Sequence, residues 1–194
     1  MPRHLQIAFA LLFVGIFSMG FYLLHLKQRE EESTRAGDAR PIAPPVAGST
    51  QPVTLYIAYD EDGVVRRREA SVALPEEAEL RAREVVRALL AQYQQKPSPH
   101  PIAPDADIKD VYIVNQNLAV IDFNSDFADK HRSGVWVEAL TVDSIVATLA
   151  ANLRQITRVK FLIDGKERET LAGHADLMSL YDVDQVNQLI RGMQ

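Results

Sequence analysis

Ile7 to Leu24 is a run of 18 residues without a charge, and Leu5 and Leu26 extend it at either end. Apolar residues occupy every side of it, which suits a helix surrounded by hydrocarbon better than one lying on a soluble core. About 20 residues rising ~1.5 Å each span the roughly 30 Å hydrocarbon layer of a bilayer. A cleaved signal peptide would carry a shorter apolar stretch, about 7 to 15 residues, and an Ala-x-Ala cleavage site. No Ala-x-Ala follows this stretch. Residues 1–26 therefore read as an uncleaved anchor, seated in a membrane through residues 5–26.

Residues 27–52 have a different pattern. KQREEESTRAGDAR is almost wholly polar, and Pro41, Pro44, Pro45 and Pro52 follow it. A segment this poor in apolar side chains cannot build a core, and its prolines remove backbone donors. It reads as a semi-extended tether.

From Val53 the patterning becomes that of a folded domain. VTLYIAY at 53–59 is rich in β-branched and aromatic residues, Asp62-Gly63 follows, and VVRRREASVAL runs to 74. Asp-Gly between two such runs predicts a hairpin. Pro75 stands where a first helical position would be, with Glu76, Glu77 and Glu79 behind it. Ala82, Val86, Leu89, Leu90 and Tyr93 then form one apolar helical face ending before Pro97. Strands are expected at 108–115 and 118–123, and a loop over SDFADKHRSG. Val142, Ile145, Val146, Leu149 and Leu153 predict a second helix from about Val135 to Leu153. VKFLI at 159–163 reads as a central strand, KERET as a short edge strand, and 183–194 as a short helix. The expected fold is α+β, a two-layer sandwich of a mixed sheet and two main helices in ββ-α-ββ-α-β order, occupying residues 53–182.

Charge and composition narrow the function. The formal net charge is −5, which argues against a nucleic-acid partner. The chain has no cysteine, which excludes thiol chemistry, Cys-type zinc sites, disulfides and a lipid-modified cysteine. Asp122-x-Asn124-x-Asp126 opens like a calcium loop, but Phe127 and Ser133 stand where that loop needs Gly and Glu. No two histidines have metal-ligand spacing, and neither a P-loop nor a Gly-x-Ser-x-Gly occurs. No metal, cofactor or catalytic residue is expected. The alternative reading, an envelope ligand-binding domain or a hydrolase, would use Asp122, Asp126 and His174. His100, among prolines, is expected to be solvated, and His174 to hydrogen-bond a turn with Asp176. Arg66, Arg67 and Arg68 read either as edge charges that discourage aggregation or as a contact for anionic lipid or a partner. Trp136 reads either as core or as an interface anchor.

Five segments in order resemble the GerMN family of spore germination and sporulation domains. They are Val53-Thr54-Leu55-Tyr56, Ala88-Leu89-Leu90, Ala119 to Phe123 with Asp126-Phe127, Ile145 to Leu149, and Val159 to Gly165 with Leu171 and Gly173 to Leu177. The chain departs from the family where Leu90-Ala91-Gln92-Tyr93 continues without a Gly-Pro, and it carries one such domain. The resemblance implies a non-enzymatic domain tethered to the outer face of a bacterial cell membrane. Its partner would be an envelope protein or a second copy of the chain, with Trp136, Phe127, Arg66, Arg67 and Arg68 as the candidate interaction residues. The basic residues pull the other way. Arg3 precedes the apolar run while Lys27, Arg29, Arg35 and Arg40 follow it, a bias that by itself favours a cytoplasmic domain.

Overall fold

Two long strands open the domain. β1 (Ser49–Tyr59) and β2 (Val64–Leu74) pair antiparallel, with Val53 opposite Ala70 and Leu55 opposite Arg68. The turn between them uses Gly63 at φ +64°, a left-handed conformation that glycine adopts without strain. In the computed structural model the described residues are 48–193, together with Met19, Gly20, Tyr22, Ile42, Pro44 and Pro45. The expected anchor lies outside them except for Met19, Gly20 and Tyr22, which are helical.

Helix α1 spans Ala78–Gln94, and β3 (Ile108–Val114) and β4 (Leu118–Phe123) follow as an antiparallel pair. A short helix α2 (Ser125–Asp129) leads to the long helix α3 (Val135–Asn152). Strand β5 (Arg158–Ile163) runs parallel to β4, and β6 (Tyr181–Asp182) adds two residues antiparallel to β5 before helix α4 (Val183–Gly192). The fold is α+β with a mixed sheet, in the order β3-β4-β5-β6.

Register fixes the core. Ile121 faces Val111 on one side and Phe161 on the other, and Phe123 faces Ile163. These side chains are buried, together with Val85, Leu89 and Leu90 of α1 and Val142, Ile145 and Leu149 of α3. Among the described residues α3 is the one helix long and apolar enough to cross a membrane. Its burial in this core accounts for that composition.

Four expectations are corrected. Pro75 is not in the helix: it follows directly on β2, and α1 starts three residues later with Glu77 as its cap. SDFAD is not loop but α2, because the Asn124 side chain accepts the Phe127 amide proton (3.2 Å) and caps the turn. KERET forms no strand, only isolated bridges such as Ile163 with Lys166. The hairpin is a separate two-stranded sheet, and β1 begins at Ser49, inside the expected tether.

The separation of the two sheets has a side-chain cause. The Thr54 amide donates to Asn152 Oδ1 (3.0 Å), the Tyr56 amide to Thr148 Oγ1 (2.8 Å), the Ala58 amide to Tyr93 Oη (2.9 Å) and the Asp60 amide to the Pro99 carbonyl (3.1 Å). Amides along a strand point alternately to its two edges, so this is every outward donor of β1 from Thr54 to the turn. Pro52, at the next outward position, has no N–H to satisfy. Side chains of α1 and α3 thus occupy the edge where another strand would have paired.

Candidate functional site

The start of α3 is held by a buried carboxylate. Gly134 caps the helix without a side chain, and Glu138, one turn on, accepts its amide proton at 3.0 Å. The other carboxylate oxygen of Glu138 accepts the amides of Ala172, His174 and Ala175, each at 2.9 Å. His174 Nδ1 completes the set at 2.9 Å from Glu138 Oε1. Glu138 is 0% exposed. Burial alone would raise its pKa, but the amides and the imidazole outweigh burial and hold the carboxyl down at about 2. One anion thereby ties the 172–175 loop to the first turn of the helix, where the helix dipole also favours negative charge.

A second network lies one turn further along. Asp60 Oδ1 is 2.5 Å from His100 Nδ1, and His100 Nε2 is 2.6 Å from Thr141 Oγ1. His131 Nε2 reaches the same hydroxyl at 2.8 Å. Arg132 bonds the second oxygen of Asp60. A carboxylate can only accept, so the proton of His100 sits on Nδ1, facing Asp60. Burial pulls His100 below the usual histidine range, and its contacts with Asp60 offset this only in part. His131 is lowered as well, again chiefly by burial. The arrangement has the outline of an Asp–His–hydroxyl relay, but His100 and Thr141 are both 0% exposed. It fixes the proline loop and the α2–α3 turn onto α3.

What this scaffolding presents is apolar. Val135 and Trp136, on the first turn of α3, are 63% and 65% exposed. Trp136 is therefore not a core residue. Arg66, Arg67 and Arg68 are exposed on β2. Arg66 pairs with Asp62 and lies 4.8 Å from the Tyr59 ring centroid, and Arg67 pairs with Glu69.

Phe127 is placed differently. It is 1% exposed and stacks on Phe123 with centroids 4.0 Å apart, so it belongs to the core and offers no face to a partner. The three residues singled out for an activity have separate partners. Asp122 accepts the Gly165 amide at 2.7 Å, Asp126 pairs with Lys130 at 3.0 Å, and His174 pairs with Glu138. The expected partner of His174, Asp176, instead accepts the Met178 amide and the Ser179 hydroxyl. His100 is not solvated but enclosed. Glu138, Asp60 and Thr141 went unnoticed in the sequence. The one available cue was Glu138 itself, an acid four residues after Gly134 at the head of an apolar helix.

The family model described as sporulation and spore germination, Germane, matches residues 54–169. A solved protein from Clostridium perfringens described as a lipoprotein superposes with TM-score 0.50 at 19% identity, covering 76% of this chain and 97% of that one. The tandem GerMN domains of the sporulation protein GerM from Bacillus subtilis give TM-score 0.49 at 22% identity, covering 68% of this chain and 45% of that one. Its first GerMN domain alone gives 0.43 at 20% identity, over 67% and 95%. Among curated proteins no sequence relative matches the chain. The family match takes in the hairpin, both main helices and β5 with its following turn, the same elements whose order first suggested the likeness, and the chain belongs to the Germane family of sporulation and spore germination domains.

Proposed function

We propose that this chain is a non-enzymatic, membrane-tethered domain that faces outward from the bacterial cell membrane and binds another protein of the envelope. The observation that carries the reading is the exposed Val135–Trp136 step on a helix start clamped by Glu138. A rigidly presented tryptophan with little to bury it is the kind of side chain on which binding energy concentrates. The uncharged run from Ile7 to Leu24 supports the tether, and the family supports a role related to sporulation or germination. The buried, committed state of His100 and of Asp122 supports a binding role over a chemical one.

Co-purification from detergent-solubilised membranes tests the reading. The full chain is expected to bring down a defined partner, and Trp136→Ala is expected to lose it while remaining folded. Retention of the same partner by Trp136→Ala would remove the assigned surface. Protease added to intact spheroplasts is expected to digest the domain; survival until permeabilisation would put it in the cytoplasm.

A further inference from the structure

The sheet edges are not treated alike. The outer edge of β1 is closed by side chains of α1 and α3 and by the Pro99 carbonyl. On β3 the Ile113 amide donates to Glu79 of α1 (3.0 Å) and the Val111 amide to the Asp110 carboxylate (2.9 Å). β6 is two residues long. β2 remains. Its even-numbered residues face β1 through the pairing of Arg68 with Leu55 and Ala70 with Val53, so the odd-numbered ones point outward. Among the described residues, the outward backbone groups of Arg67, Glu69, Ser71 and Ala73 have no hydrogen-bond partner, and all four residues are exposed. Natural domains cover or shorten such edges, and the rest of this fold follows that practice.

We propose that the Arg67–Ala73 edge of β2 is a docking strand for an extended acidic segment of a partner protein, which adds to the hairpin as a third strand. The edge needs donors and acceptors in alternation over roughly 20 Å, at about 3.3 Å per residue. A neighbouring strand supplies both at that spacing, whereas lipid headgroups present no such alternating row along a strand. Charge sets the sequence of the added strand. Arg68 carries no ion pair among the described residues. Arg66, on the same face, lies over the Tyr59 ring, and its one ion pair is an exposed contact with Asp62 that another carboxylate readily replaces. Ala70 and Val72 continue that face and are half-buried. The segment therefore carries two acidic residues two apart, opposite Arg66 and Arg68, and two apolar ones opposite Ala70 and Val72. This inference rests on the protein-binding reading above but not on Trp136.

The probe is a labelled synthetic peptide, Thr-Val-Thr-Val-Thr-Asp-Thr-Asp-Thr, titrated into the full chain in detergent micelles. Saturable binding that weakens with salt is expected, with amide-exchange protection at Arg67, Glu69, Ser71 and Ala73. Arg68→Glu is expected to weaken it by about tenfold or more. Ser71→Pro removes only an outward N–H, opposite Pro52, and is expected to abolish it. Should that variant unfold, N-methylated peptides decide. Methylation of the threonines, whose amides face β2, is expected to abolish binding, and methylation of the valines and aspartates to leave it. Equal tolerance of both methylation patterns overturns the proposal. So does binding to phosphatidylglycerol vesicles that Arg68→Glu abolishes while the peptide binds neither protein. If Trp136→Ala loses the native partner but the peptide fails to bind, the edge assignment falls and the protein-binding reading stands.

Discussion

Thr148 Oγ1 lies 2.8 Å from the backbone nitrogen of Tyr56 and accepts its proton, so a helix side chain does for β1 what a neighbouring strand would ordinarily do. Thr148 is buried, and the donor it satisfies has no other partner on that side. Thr148→Val keeps the shape and removes the acceptor. It is expected to lower stability by about 1–3 kcal/mol, the cost of leaving a buried donor unmade. Urea unfolding measures this. A change within a few tenths of a kcal/mol would show that water replaces the hydroxyl.

The Glu138 carboxylate makes the domain acid-sensitive over a defined range. Its folded pKa of about 2 lies below the ordinary 4.5, so its stabilisation is complete above about pH 5 and is lost as pH falls towards 2. A shift of this size corresponds to roughly 3 kcal/mol. Glu138→Gln is expected to lower stability at pH 7 by about 2–3 kcal/mol and to flatten the decline between pH 5 and 2. Denaturant midpoints for both proteins at pH 7, 5 and 3 check it; parallel declines would exclude Glu138 as the titrating group.

Asp143 has the opposite sign. It is buried on α3, and burial pushes its pKa up to about 6 from 3.8. The charged form is therefore a burden on the folded state, felt fully above about pH 6 and relieved as pH falls towards 4. Asp143→Asn is expected to stabilise by about 1–3 kcal/mol at pH 8 and to be nearly neutral at pH 4. Stabilisation of equal size at both pH values would point to packing instead.

Leu149 and Trp136 share a helix and should answer truncation differently. Leu149 is wholly buried, and Leu149→Ala is expected to cost about 2–5 kcal/mol. Trp136 is 65% exposed, and Trp136→Ala is expected to cost under about 0.5 kcal/mol. Thermal melts distinguish them. A large loss for Trp136→Ala would mean that the ring supports the fold and is not held out for binding.

The parts legible in the sequence were those governed by neighbours in the chain. Asp62-Gly63 announced the hairpin turn, and the spacing of Val142, Ile145, Val146 and Leu149 announced the inward face of α3. The polar site was not legible, because its bonds join distant positions. His100 meets Asp60 across 40 residues and Thr141 across 41, and Glu138 meets its loop across 34 to 37. The prolines around His100 suggested a solvated loop, and nothing local revealed that the loop is pinned inward. Phe127, named as a candidate interaction residue, followed the same logic in reverse, because α2 turns it onto Phe123.

The clasp between β1 and α3 also sets an order of events as the chain is made. Asn152 both donates to and accepts from Thr54, 98 residues earlier. A strand whose outer edge is finished by a helix so far downstream stays incomplete while most of the domain is being synthesised, and contacts this distant slow folding. The hairpin can form early, but it carries two open edges until α3 emerges, and only one of them is then closed. During that interval Pro52 and the three arginines are its own protection against pairing with the wrong strand.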